Sequence, residues 1–182
     1  MAPATDLERE GARLAALQSC AIVDTYPESD FDDLAAVAAT IAEAPHAAIA
    51  FIDETRWWAK ARVGGMPEEM PREHSLCSQA IQRGEPLILN DVHADPRFAV
   101  HPAVEHNPSL RFYAGFPLTL HDGAAVGVLC VVDSKPRQLT PAQLTALQRV
   151  VRQVVRLVSF RRHASVLAEA HEALAIGEAQ YR

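Results

Sequence analysis

Two apolar runs, Arg111 to Leu120 and Ala124 to Val132, are joined by His121-Asp122-Gly123, and this constrains the chain more than any other feature. An Asp-Gly between apolar runs of strand length marks a hairpin. A second pair precedes it: Ala47 to Ile52, a turn at Asp53-Glu54-Thr55, then Trp57 to Val63. Pro86 to Asn90 (PLILN) adds a fifth strand. Strands joined by hairpins pair antiparallel, so the residues alone predict an antiparallel sheet of five strands.

Helices flank these strands. Thr5-x-x-Glu8 is a capping box that opens a helix through about Ser19. Ser29 reads as the cap of a second helix, with Asp30, Asp32 and Asp33 in its first turn and Pro45 beyond its end. Gly64, Gly65, Pro67 and Pro71 mark a loop. Ser75 caps a short helix over Leu76 to Arg83, and Asp91 to Pro108 reads as a long loop with at most one helical turn. Thr140-Pro141-Ala142-Gln143 is a second capping box, opening a long final helix. The order α-α-β-β-α-β-loop-β-β-α makes an α+β layer fold, a sheet flanked by helices.

The last helix carries two apolar stripes. Leu144, Leu147, Val151, Val154 and Val158 alternate at steps of three and four, while Val150, Val155 and Leu157 add a second face. One face suits the sheet and the other a partner helix, or both make one wide stripe within a single chain. Ser134 to Ala168 holds Lys135, Arg137, Arg149, Arg152, Arg156, Arg161 and Arg162 and no acidic residue. This is either a solvated helix face or a surface that docks on acidic residues such as Asp6, Glu8 and Glu10.

Composition excludes several function classes. The net charge of −6 over 182 residues argues against nucleic acid or an anionic membrane as partner. No run of about 18 apolar residues is present, so no membrane span is expected. The acidic opening MAPATDLERE lacks an apolar signal region. Cys20, Cys77 and Cys130 are an odd, sparse set without CxxC spacing, which argues against a disulfide framework and a zinc site and fits a reducing cytoplasm.

Four segments together resemble the GAF domains of bacterial sensory proteins: RWWAKARVG, MPREHSLCSQAI, LNDVHADPRFAVHPAV and LRFYAGFPLTLHDGAAVGVLCVVDSKPRQL. The opening ALQSCAIVDTYPESDFDDL is similar to the usual lead-in of this subgroup. The resemblance implies a six-stranded antiparallel sheet flanked by helices, a ligand pocket in front of it, and a long C-terminal signalling helix. It also implies a homodimer through the terminal helices and a downstream output domain. On this reading residues 1–162 are the GAF domain with its N-terminal helices, and residues 163–182 are a linker helix. EALAIGEAQYR resembles the opening of a PAS domain, so the chain is expected to be part of a longer protein.

Candidate ligand-binding residues follow from the resemblance and the strand periodicity. Trp58 and Lys60 share one face of their strand and Trp57 takes the other. Trp58 and Lys60 suit an anionic or aromatic ligand, or else a core Trp and a solvated Lys. Cys77 near a helix start is either reactive or a small packing residue. Cys130 belongs in the core, and Cys20 takes no role. Phe112 and Tyr113 point to opposite faces, so only one lines the pocket, and Gly115 permits a close approach. Asp91 and Phe98 belong to the loop over the pocket, where Asp95-Pro96-Arg97-Phe98 resembles the subgroup's loop-shaping motif. His93, His101 and His106 lie in the same loop, but their spacing fits no metal motif.

Catalytic signatures are missing from the sequence. There is no Gly-rich phosphate loop, no tuned carboxylate pair, and none of the Cys-His pairing of bilin-binding GAF domains. His163 lacks the surroundings of a phosphoacceptor histidine. The leading expectation is a non-catalytic cytoplasmic sensor for a small molecule, with no metal and a ligand and cofactor left unnamed. Two alternatives remain: an empty dimerisation spacer, and a GAF-fold methionine-sulfoxide reductase using Cys77, for which the loop supplies no second cysteine.

Overall fold

Thr5 does what its spacing predicts: its hydroxyl accepts from the Glu8 amide, while the Glu8 carboxylate accepts from the Thr5 amide. This cap opens α1 (Asp6–Ser19). The structure, a computed structural model, describes the backbone of residues 5–180 and the side chains of residues 5–174 and 176. Tyr181 and Arg182, the end of the PAS-like segment, lie outside the described residues.

The remaining elements are α2 (Ser29–Ala42), β1 (His46–Ile52), β2 (Arg56–Val63), β3 (Glu69–Pro71), α3 (Cys77–Arg83), β4 (Leu87–Leu89), α4 (Pro102–His106), β5 (Phe112–Thr119), β6 (Ala125–Asp133) and α5 (Pro141–Gln180). One six-stranded antiparallel sheet runs in the order β3-β2-β1-β6-β5-β4. The predicted α+β fold is therefore present, with the sixth strand that the residues alone did not give. β3 was hidden because it is three residues long, ends on Pro71, and sits at the sheet edge, where a proline costs no ladder bond.

Two further readings need correction. The cap of α2 is Glu28, one residue before Ser29, and its carboxylate makes no bond to the helix because Lys60 and Arg161 take it. The two apolar stripes of α5 do not divide between sheet and partner. Leu147, Val150, Val154 and Val158 are buried, and Leu144, Val151, Val155 and Leu157 pack half-buried against the same core. With α2 beside it, the sheet accommodates the whole wide stripe.

The sheet separates two apolar layers. Behind it, α1, α2 and α5 cover Ile49, Phe51, Trp58, Phe112, Phe116 and Leu129. In front, α3, α4 and the loop after β4 cover Ala48, Ile52, Trp57, Tyr113, Val128 and Cys130. Strand alternation assigns the layers, with one interruption in each hairpin: Leu118 pairs with Gly127 and Thr119 with Ala125, so Val126 is an extra residue on β6, and β2 carries another. Ala50 pairs with Ala59 and Ile49 with Ala61, so Lys60 is an extra residue on β2. Such a bulge re-aims side chains, and both Lys60 and Ala61 consequently serve the rear layer. Among the described residues no helix is long and apolar enough to cross a membrane.

Candidate functional site

The front layer is apolar except at one point. Trp57 from β2, Tyr113 from β5, Cys130 from β6 and Cys77 from the first turn of α3 meet there, each at most 3% exposed. Ser75 fixes the start of α3, because its hydroxyl accepts from the Cys77 amide at 3.1 Å. That holds Cys77 against the sheet, where the Tyr113 hydroxyl donates to its sulfur at 3.3 Å.

Gly115 makes this contact possible. Tyr113 and Gly115 share one face of β5, and the phenol lies back along the strand over the glycine. A Cβ at position 115 would stand 2.1 Å from the Tyr113 hydroxyl and 2.6 Å from its ring carbon. The close approach expected at Gly115 is therefore made by the chain's own tyrosine.

The electrostatics centre on the Cys77 sulfur. Burial alone would raise its thiol, but Cys130, Ser75, Tyr113 and Trp57 together outweigh burial and hold Cys77 below the ordinary cysteine range. Cys130 lies opposite Gly115 in the same front layer, and the nearby Cys77 thiol, with burial added, pushes its own thiol well above the ordinary value. Burial keeps the Tyr113 phenol protonated, helped by the cysteines beside it. The Trp57 indole N–H makes no hydrogen bond to any described atom. A buried donor in that state is uncommon and costly.

The other predicted site residues are dispersed. Trp58, Lys60 and Phe112 lie in the rear layer, so they do not join Cys77 and Tyr113. The alternation was read correctly, with Trp57 opposite Trp58. The face was not, because periodicity does not say which side of a sheet the helices cover. Lys60 is tied to the α1–α2 connection: its ammonium donates to Thr25 Oγ1, the Tyr26 carbonyl and Glu28. Phe98 is buried in the front layer. Asp91 sits at the start of the loop with both oxygens held by Arg111, which keeps its carboxyl at about 2. Asp95 is gripped the same way by Arg97.

The loop histidines serve the backbone. His93 Nε2 contacts the Pro108 carbonyl, His101 caps α4 by accepting from the Ala103 amide, and His106 Nδ1 contacts the Pro102 carbonyl. Among the described residues no three His, Cys, Asp or Glu side chains converge as a metal cluster. Trp57, Ser75 and Cys130 were missed as members of the site. The available signal for Cys130 was its strand parity, but the register that sets it opposite Gly115 is a long-range pairing.

The rear layer has its own polar seam. Glu28 accepts from Lys60 and from Arg161 of α5, both at 2.7 Å, and Arg161 also donates to the Ala21 carbonyl. Arg162 pairs with Asp122 in the β5–β6 turn. An open groove of about 1430 Å³ runs along α1 between Leu7 and Arg162, floored by Arg13 and Arg72; it does not reach the Cys77 cluster.

Comparison with known proteins agrees with the fold. The family model described as "GAF domain" matches residues 9–158. A cyclic di-GMP phosphodiesterase of Pseudomonas aeruginosa is 31% identical over 163 residues, which is 89% of this chain and 28% of that protein. The chain thus spans little more than a quarter of that relative. The GAF domain of an Acinetobacter phosphoenolpyruvate-protein phosphotransferase superposes with a TM-score of 0.60 at 20% identity, covering 87% of this chain and 98% of that one. A type II free methionine-R-sulfoxide reductase from Thermoplasma acidophilum superposes with a TM-score of 0.59 at 16% identity, covering 71% and 90%.

Proposed function

The chain belongs to the GAF domain family, and on that premise we propose that it is a non-catalytic cytoplasmic sensory module. It binds a small molecule in the front layer and relays the event through α5, in a homodimer, to a downstream output domain. The observation that carries this reading is the far half of α5. Phe160, Leu167 and Leu174 are 77%, 62% and 66% exposed and stand seven residues apart. That spacing makes a seam for a second helix, and exposed large apolar groups in a row call for a partner. The same helix is buried upstream against the sheet, so a change in the domain is carried along one rigid element.

The relay requires that the two states hold α5 differently. Glu28 supports such a coupling, since it joins α5 through Arg161 to β2 through Lys60. The test is light scattering on the chain and on a Phe160→Glu, Leu167→Glu variant. The expected result is a dimer that becomes a folded monomer; a wild-type monomer rules the relay out.

One observation favours a second reading. Cys130 lies in the same buried front layer as Cys77, opposite Gly115, and so offers a second thiol for a Cys77-dependent methionine-sulfoxide reductase. Incubation with free methionine sulfoxide and a dithiol reductant decides it. The sensory reading expects no turnover, and turnover abolished by Cys77→Ser would replace it.

A further inference from the structure

We infer that His74, His101 and His106 form a proton-operated clasp on α4, so that the cover of the front layer loosens as pH falls through the histidine range. The inference goes beyond the sensory reading and does not depend on it. α4 is only five residues long, yet it sets Ala103 and Val104 into the front layer at 7% and 3% exposure. A helix this short is not stable by itself, so its ties to its surroundings decide whether it stays closed. Two of those ties are made by imidazoles. His101 precedes the helix, and its Nδ1 accepts from the Ala103 amide at 3.1 Å. At the other end His106 stacks on His74, the last residue of the one-turn 3-10 helix Arg72–His74; the ring centroids are 3.6 Å apart and the planes 27° apart.

Both contacts call for neutral rings. The cap exists only while His101 Nδ1 keeps its lone pair, and a proton there sets a positive charge against the amide it was capping. Burial acts in the same direction and holds His101 below the ordinary histidine value. His106 is fixed as its Nδ1–H tautomer, because that nitrogen lies 2.9 Å from the Pro102 carbonyl, which can only accept. Its Nε2 therefore carries the lone pair that takes up a proton. Two charged rings at 3.6 Å repel, so the stack closes with at most one proton.

Among the described residues no neighbouring charge offsets this. Glu73 beside the stack and Glu105 on α4 are exposed, where water screens them, and neither bonds to the three rings. Arg72 is held by Glu10 and the Asp53 carbonyl, Arg56 of β2 by Asp24, Asp53 and Glu69, and Arg97 of the loop by Asp95. Arg83 of α3 adds a further cation, and His93 contacts the Pro108 carbonyl. The closed form thus excludes one proton at His101 and one from the stacked pair, and the open form takes up both. Closure is favoured above the free-histidine value of about 6.5 and weakens as pH falls below it. Between pH 7.5 and 5.5 each excluded proton weakens closure by at most about ten-fold.

The experiment follows hydrogen exchange by mass spectrometry on the full chain at pH 7.5 and 5.5, with rates corrected for the intrinsic pH dependence of amide exchange. The α4 amides that donate to the His101 and Ala103 carbonyls should lose protection by about ten- to a hundred-fold at pH 5.5, while β6 keeps its own. His101→Asn keeps an acceptor for the Ala103 amide, and His106→Phe keeps a ring against His74, but neither new side chain takes up a proton. Each variant should remove about ten-fold of the loss, and the two together should leave α4 equally protected at both pH values. Wild-type protection of α4 that is the same at both pH values, or absent at both, overturns the inference. So does a loss that β6 shares, which is acid unfolding of the whole domain. A loss that persists in full in both single variants, or at all in a folded double variant, overturns it too. A dimer with a bound small molecule whose α4 ignores pH would sink this inference and leave the sensory reading intact.

Discussion

The Lys60 ammonium, with its side chain fully buried, meets the Glu28 carboxylate at 2.7 Å, and the same carboxylate oxygen accepts from Arg161 on α5. The two partners are unequal. Glu28 is 41% exposed and can be hydrated, whereas Lys60 depends on Glu28, Thr25 and Tyr26 for all its bonds. Removing the anion leaves a buried cation unneutralised, while replacing the cation with an apolar chain of similar volume does not. Glu28→Gln should therefore destabilise the domain by about 2 kcal/mol and more than Lys60→Met does. Urea unfolding of the two variants checks the order; the reverse order would mean that the ion pair is dispensable.

Gly115 and Tyr113 make a second coupled pair. Gly115→Ala forces a methyl against the Tyr113 phenol, an overpacking that costs about 1–3 kcal/mol. In a Tyr113→Ala background the same change meets open space and should cost a small fraction of that. A double-mutant cycle reads the difference. Additive costs would place the clash elsewhere.

Glu10 links α1 to the front layer, accepting from Arg13 and from Arg72. The Arg13 hydrogen bond is the largest effect on its carboxyl; burial opposes it and Arg72 adds to it, and together they lower Glu10 from 4.5 to about 2. A depressed folded pKa stabilises at every pH above the unfolded value, and the contribution fades as pH falls from about 4.5 toward 2. The melting-temperature gap between wild type and Glu10→Gln should be full at pH 6 and clearly smaller at pH 3. A gap that is flat over this range would show that the charge does not matter.

Val154 and Leu167 sit on the same helix but should respond differently. Val154 is fully buried behind the sheet, so Val154→Glu should unfold the domain; Leu167→Glu should leave the fold intact and weaken self-association at least ten-fold. Circular dichroism with sedimentation velocity separates the outcomes. A folded, still dimeric Leu167→Glu protein would remove the seam from the interface.

The hairpins, the two capping boxes and the helix order were legible because each depends on neighbours in sequence: Asp122-Gly123, Thr5 with Glu8, Thr140 with Gln143. The site was less legible because it depends on which face the helices cover. Trp57 and Trp58 are equivalent to periodicity, and only the packing of α2 and α5 makes Trp58 a rear-layer residue. The bulge at Lys60 is a property of the β1–β2 register, so no pattern in β2 alone gives it. Glu28 as a link to α5 spans 133 residues and is likewise invisible to local pattern.

Native mass spectrometry of the purified chain, set beside its denatured mass, tests the sensory reading most directly. The account predicts a dimer carrying a small increment of mass that vanishes on denaturation. A monomer whose native and denatured masses agree would contradict both the bound ligand and the helical relay.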